Sequence, residues 1–251
     1  MTLVTPIREA DLEFDHGAFD SAAFAAQALS SWQALAAVID HTLLKPDATR
    51  VQIEALCEEA ARYRFACAMV HPIWVPTAVG ALTGTGIPVG VVIGFPLGAS
   101  LVSTLRHEAA AVTRLGAREV DMVIPIGQLK SGNHQAVGHA IQAAATVVHS
   151  RGALLKVILE TALLTIPEKL RAAEIAIQSG ADFLKTSTGF ASGGATPADV
   201  ALLRGVAGAR SGVKASGGIR TLADVRVLLE AGANRIGASA SVAIVRELRA
   251  E

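Results

Sequence analysis

Phe183-Leu184-Lys185-Thr186-Ser187-Thr188-Gly189-Phe190 places one lysine inside an apolar, β-prone segment that runs into a glycine turn. The segment reads as a buried strand followed by a loop, and a lysine there has to be paired or used as an amine, because an unpaired ammonium is costly to bury. The same unit recurs on both sides of it. Apolar runs lie at Ala37–Leu44, Phe65–His71, Pro88–Phe95, Glu119–Ile126, Leu154–Thr161, Val213–Ser216 and Arg235–Ser239, which with Phe183–Thr188 makes eight. Helix signals fill the intervals: Thr49 with Gln52 and Thr165 with Glu168 fit capping boxes, and Thr196-Pro197 puts proline at the first helical position. Gly116, Gly152, Gly180 and Gly232 stand where helices should stop. Eight strand-helix repeats with near-continuous apolar strands predict an α/β chain closed as a (β/α)8 TIM barrel, a fold of about 250 residues. An open doubly wound sheet is the alternative, weakened because no Gly-x-Gly-x-x-Gly follows the first strand.

The 251 residues fit one large core, divided here into an N-terminal extension (1–35) and a barrel domain (36–251). The extension reads as helical, with Phe24, Leu29, Trp32 and Leu35 as the side that docks on the barrel. The 22 basic and 22 acidic residues cancel, which leaves no electrostatic footprint for a nucleic acid or an anionic membrane and makes a small molecule the expected partner. The two cysteines, Cys57 and Cys67, form no disulfide framework or zinc pattern, and the N-terminus shows no basic-then-apolar signal, so a reduced cytoplasm is expected. Between Arg64 and Arg106 no charged residue occurs, but four prolines and six glycines break that run into short pieces, so it reads as strands and turns and not as a membrane span.

A barrel carries its chemistry at the carboxyl ends of its strands, with alternate residues facing the interior. On that rule Asp40 and Thr42 share a face, as do Glu119, Asp121 and Val123; Lys156, Ile158 and Glu160; Phe183, Lys185 and Ser187; and Lys214 and Ser216. If those faces point inward, the mouth collects Lys156, Lys185, Lys214, Asp40, Asp121 and also Glu160. Structural ion pairs explain any single Lys–Asp couple, but three lysines on neighbouring strands suggest chemistry. An ammonium beside an amine lowers one pKa and leaves a nucleophile able to form a Schiff base with a carbonyl, and an acid such as Asp121 could then move the protons. On spacing alone Lys185 and Lys214 are equal candidates for the amine. Gly189, Ser192, Gly193 and Gly194, then Gly217 and Gly218, then Gly237 and Ser239 follow the last three strands, where backbone N–H groups commonly hold a phosphate.

Ile39-Asp40-His41-Thr42-Leu43-Leu44-Lys45-Pro46, Glu119-Val120-Asp121-Met122-Val123, Leu155 to Thr161, Leu184 to Phe190 and Val213 to Thr221 together resemble the deoxyribose-phosphate aldolase family, over about residues 37 to 241 in order. The resemblance implies a class I aldolase, without metal or cofactor, that reversibly cleaves 2-deoxy-D-ribose 5-phosphate into D-glyceraldehyde 3-phosphate and acetaldehyde. It chooses between the lysines: Lys185 would form the Schiff base, Lys214 would perturb its pKa, and Asp121 would donate and accept protons. Asp40, Thr42, Lys156 and Thr186 match substrate-pocket positions, and Gly189, Gly217, Gly218, Gly237 and Ser239 match phosphate-binding loops. The expected partners are a phosphosugar and aldehydes, with a homodimer as the expected assembly.

This chain departs from the family pattern at Met69, where many members carry cysteine, and at Phe190, where some carry lysine. It also ends without the tyrosine that some members use, its one tyrosine being Tyr63. Three rival readings remain: a metal-dependent aldolase, a phosphosugar isomerase resting on Glu160, and a non-catalytic phosphosugar-binding barrel. The first lacks a ligand cluster, since His134 and His139 do not share a helix face and His41 and His71 stand singly on strands. The second leaves the lysine pair unexplained, and the third leaves Lys185, Lys214 and Asp121 without use.

Overall fold

The computed structural model describes residues 19–250. Two short helices, α1 (Ser21–Ala28) and α2 (Trp32–Ala36), precede the repeats. Then come β1 (Ile39–Thr42), α3 (Arg50–Tyr63), β2 (Cys67–Val70), α4 (Val75–Leu82), β3 (Val89–Ile93), α5 (Val102–Arg114), β4 (Glu119–Val123), α6 (Ile126–Lys130), α7 (His134–His149) and β5 (Leu154–Ile158). The second half adds α8 (Ile166–Gln178), β6 (Phe183–Lys185), α9 (Pro197–Ala207), β7 (Gly212–Ser216), α10 (Leu222–Glu230), β8 (Arg235–Ala238) and α11 (Ser241–Ala250). All eight strands pair in parallel in sequence order, and β1 pairs with β8 to close a (β/α)8 barrel.

Local chemistry explains the elements. The Gln52 side chain accepts from the Thr49 N–H at 2.8 Å, the Glu168 carboxylate accepts from the Thr165 N–H at 2.8 Å, and Thr196 caps α9 ahead of Pro197. Thr221 and Asp224 form a third capping box at α10, unread in the sequence. Gly116, Gly152, Gly180 and Gly232 each take positive φ, between 65° and 113°, after their helices. The main core lies between strands and helices, where Val120, Leu155, Leu184 and Val213 meet Ala109, Ala144, Ala172 and Leu203, all fully buried.

Seven of the eight strands are shorter than their apolar runs, most of all at the carboxyl ends, and β7 is one residue longer, beginning at Gly212. Ile126 belongs to α6, Leu159–Thr161 leave β5 into a 3-10 turn, and Thr186–Thr188 leave β6. The backbone stops laddering where side chains and loops build the barrel mouth. Of the extension, residues 1–18 lie outside the described residues. The remainder packs α1 on α10 and α2 on α11, with Leu35 fully buried and Phe24, Leu29 and Trp32 partly buried against the core.

Candidate active site

Strand register brings the charges together. Lys185 at the end of β6 pairs by Cα with Lys214 in β7, Asp121 in β4 with Lys156 in β5, and Lys214 with Arg235 at the start of β8. All of these side chains face the barrel interior, where a barrel normally holds branched aliphatic residues. Lys185 Nζ and Lys214 Nζ each lie 2.8 Å from the same oxygen, Asp121 Oδ2, while Lys156 Nζ takes Asp121 Oδ1 at 3.0 Å. Lys214 Nζ also lies 2.5 Å from Asp40 Oδ2. Lys156 Nζ is 2.5 Å from Glu119 Oε2 and 3.3 Å from Asp40 Oδ2. Arg235 completes the network, 2.9 Å from Glu119 Oε1 and 3.5 Å from Asp40 Oδ1.

Four cations thus meet three carboxylates in one buried cluster. Electrostatics favours releasing one proton, and Lys185 is the group that releases it: its pKa falls to about 8, first because burial disfavours its charge and then because Lys214 and Lys156 repel it, against the attraction of Asp121. The neighbouring lysine invoked from the sequence therefore contributes, but burial is the larger cause. Burial alone would raise Asp121 and lower Lys156; instead the three lysines hold Asp121 well below the usual carboxylate range, and the three carboxylates hold Lys156 well above the usual lysine range. Asp40 is held at about 2 by Lys156, Lys214 and Arg235 against the opposing effect of burial.

Above the network a cavity of about 270 Å³ opens at the carboxyl ends of the strands. Its wall includes Thr42, Lys45, Lys185, Lys214, Gly189, Gly217, Gly218, Gly237 and Ser239. Gly217 and Gly218 both adopt left-handed φ, 88° and 79°, a turn that glycine takes without strain and that lines the cavity with backbone and no side chains. The loop after β6 braces them: the Ala195 N–H donates to the Gly217 carbonyl at 3.0 Å, and a Cβ on Gly194 would stand 2.2 Å from that oxygen. Gly237 has a different local reason. A Cβ there would lie 2.9 Å from Lys214 Cε, so its missing side chain makes room for the lysine stem.

Several expected residues sit elsewhere than at the wall. Asp40, Asp121 and Lys156 lie beneath the cavity in the ion network, fully buried. Thr186 is also fully buried; its Oγ donates to the Ser216 carbonyl and accepts from the Ser216 N–H, both at 3.1 Å, which fastens β6 to β7. Glu160 does not join the lysines. The alternation that predicted this ends with β5; Glu160 takes φ 58° and its carboxylate accepts from the Thr188 N–H at 3.2 Å and from the Thr188 hydroxyl. Sequence reasoning missed Arg235 and the charge of Glu119 as network members, although both stand at alternate positions from Gly237 and Asp121. Cys67 and Met69 do share an inward face, with Gly90 across from them leaving space that a Cβ would close to 2.5 Å from either side chain. One rim of the mouth is aromatic: Phe190, half exposed, meets Phe95 edge-on at 5.2 Å, and Phe95 meets His71 at 5.8 Å.

Among the described residues, Asp40, Cys67 and Glu119 bring three potential metal-ligand atoms within 4.8 Å of one another. Both carboxylates are already gripped by Lys156 and Arg235, and burial pushes the Cys67 thiol well above its ordinary pKa, so the donor set fits an ion-pair network better than a metal site. Among the described residues, no helix is long and apolar enough to cross a membrane.

Fold and site together define a (β/α)8-barrel enzyme whose cavity ends on lysine nitrogens and glycine loops. Comparison with known proteins narrows this: the sequence model of the DeoC/LacD family aldolases matches residues 14–246, and the chain belongs to that family. A deoxyribose-phosphate aldolase of Geobacillus sp. (strain WCH70) is 52% identical over 211 residues, covering 84% of this chain and 94% of that protein. One from Listeria monocytogenes serotype 4a (strain HCC23) is likewise 52% identical over 211 residues, with the same coverages of 84% and 94%. The solved deoxyribose-phosphate aldolase of Aeropyrum pernix, described as a unique tetramer, superposes with a TM-score of 0.85 at 35% identity, covering 92% of this chain and 97% of that one.

Proposed function

We propose that this chain is a class I aldolase that reversibly cleaves 2-deoxy-D-ribose 5-phosphate into D-glyceraldehyde 3-phosphate and acetaldehyde. The observation that carries the reading is Lys185: a lysine with pKa near 8, in the wall of a cavity to which the described residues contribute no carboxylate, in a chain of the DeoC/LacD aldolase family. In the neutral form its nitrogen attacks the C1 aldehyde of the open-chain sugar, and loss of water gives an iminium ion. The iminium draws in the C2–C3 bonding pair as the C3 hydroxyl loses its proton, so glyceraldehyde 3-phosphate leaves and an enamine remains. Protonation at C2 and addition of water release acetaldehyde and restore the amine.

Asp121, bonded to both lysine nitrogens, is assigned the proton transfers, and Lys214 the second cation that keeps Lys185 from holding its proton. Asp40, Lys156, Glu119 and Arg235 hold those three groups in place from below. Gly189, Gly217, Gly218 and Ser239 are assigned to the phosphate through their backbone N–H groups, and Thr42 to the sugar. The reading needs no metal. Its partners are the phosphosugar and its aldehyde products. The test is Lys185→Leu, an apolar side chain of similar bulk: cleavage of deoxyribose 5-phosphate is lost while circular dichroism still reports the folded barrel. Cleavage by this variant at the wild-type rate contradicts the assignment.

A further inference from the structure

Among the described residues, the cavity wall holds three cations, Lys45, Lys185 and Lys214, and no carboxylate. Lys185 and Lys214 are buried and engaged by Asp121, Lys214 also by Asp40. Lys45 differs in both respects: it is exposed, and it pairs with no carboxylate among the described residues.

The backbone that carries it is fixed. The Leu43 N–H donates to the Met69 carbonyl at 3.0 Å, His71 Nε2 lies 2.9 Å from the Leu44 carbonyl, and the Ala48 N–H donates to the Lys45 carbonyl at 3.1 Å. The His71 ring is itself held edge-on to Phe95. The pinned loop fixes where the four-carbon arm starts, so its ammonium stays within a defined radius of the cavity, and the arm gives up its rotamer freedom only when an anion binds. The loop is also in the right place: β1 pairs with β8, His41 opposite Ala238, so the chain leaving β1 runs beside Gly237–Ser239.

We propose that Lys45 is the counter-cation of the substrate phosphate, closing over a group whose other oxygens rest on backbone N–H groups of the Gly217-Gly218 turn and Ser239. The inference rests on the proposed aldolase reading and adds a specificity residue to it. Backbone N–H groups supply direction but no net charge, whereas a phosphate monoester brings nearly two negative charges. Lys185 and Lys214 already spend their charge on carboxylates, so Lys45 is the cation of this wall left to balance the phosphate and to favour phosphorylated over unphosphorylated sugar.

The experiment compares kcat/KM for 2-deoxyribose 5-phosphate and for unphosphorylated 2-deoxyribose in wild type, Lys45→Ala and Lys45→Arg, with inorganic phosphate as a competitive probe. In Lys45→Ala the ratio of the two kcat/KM values falls about fivefold, the scale of one exposed charge pair, through KM for the phosphorylated sugar, and the inhibition constant for phosphate rises in step. Lys45→Arg restores most of both. A ratio that falls less than twofold in Lys45→Ala, or an equal loss on both sugars, overturns the proposal. Reductive trapping of acetaldehyde on wild-type Lys185, which involves no phosphate, separates the two failures. An adduct with an unmoved ratio refutes only the role of Lys45, whereas no adduct refutes the aldolase reading and this inference with it.

Discussion

Lys156→Met removes the cation that three carboxylates share, and two opposite consequences follow. Lys156 is fully buried, with Glu119 at 2.5 Å, Asp121 at 3.0 Å and Asp40 at 3.3 Å. Methionine keeps the stem but leaves Glu119 Oε2 and Asp121 Oδ1 without a cation in low dielectric, while Asp40 Oδ2 keeps Lys214, a loss of about 3–5 kcal/mol for a broken buried pair. At roughly 2–4 °C per kcal/mol for a chain of this size, Tm falls by roughly 6–20 °C. The second consequence is on the amine. With Lys156 gone, three carboxylates face Lys185, Lys214 and Arg235, so a charged Lys185 now balances the cluster and one source of repulsion is lost. Its pKa rises, so activity near pH 7 falls and recovers at higher pH. Lys185→Met is the comparison: Asp121 keeps Lys156 and Lys214, so Tm moves far less while activity disappears. Scanning calorimetry on both variants and a pH profile of kcat/KM for Lys156→Met read the two effects. Equal Tm losses, or an acidic limb of Lys156→Met that coincides with the wild type, would refute the charge-balance reasoning.

Other expectations follow from the same geometry. In the wild type, kcat/KM rises with pH through about 8, because the reactive form of Lys185 is the deprotonated one; a profile flat from pH 6 to 9 counts against it. Gly237→Ala puts a methyl 2.9 Å from Lys214 Cε and 3.0 Å from Ser216 Cβ, so the lysine is displaced and kcat drops about tenfold or more, with a stability loss of about 1–3 kcal/mol measured by urea unfolding. Burial pushes the Cys67 thiol well above its ordinary pKa and Cys57 up to about 11, so Ellman's reagent at pH 8 labels fewer than one thiol in the folded protein and both after unfolding.

The barrel was legible because its strands are buried on both sides: runs such as Leu155–Ile158 and Val89–Ile93 leave little choice of environment, and capping residues such as Thr165 with Glu168 mark where the helices begin. Strand ends were not legible. Thr186, Ser187 and Thr188 have the β propensity of strand residues, but a side-chain and loop network takes them out of the ladder, with Thr188 turning to Glu160 and Thr186 to Ser216. Alternation located the lysines and Asp121 because it needs only local sequence. It could not reveal that Lys214 meets Asp40 across 174 residues, or that Arg235 and Glu119 complete the charge balance, since these depend on barrel closure. Nor could spacing rank Lys185 against Lys214. Their surroundings separate them: among the described residues Asp121 is the one carboxylate that bonds Lys185, whereas Lys214 has both Asp121 and Asp40.

The central claim is that Lys185 is the amine that carries the carbonyl carbon. Incubating the protein with acetaldehyde and sodium borohydride in the presence of a metal chelator, followed by peptide mass spectrometry, tests it most directly. The account predicts one reduced two-carbon adduct on Lys185, with activity lost in proportion and no effect of the chelator. An adduct on Lys214 in its place, or no adduct together with cleavage that the chelator abolishes, would contradict it.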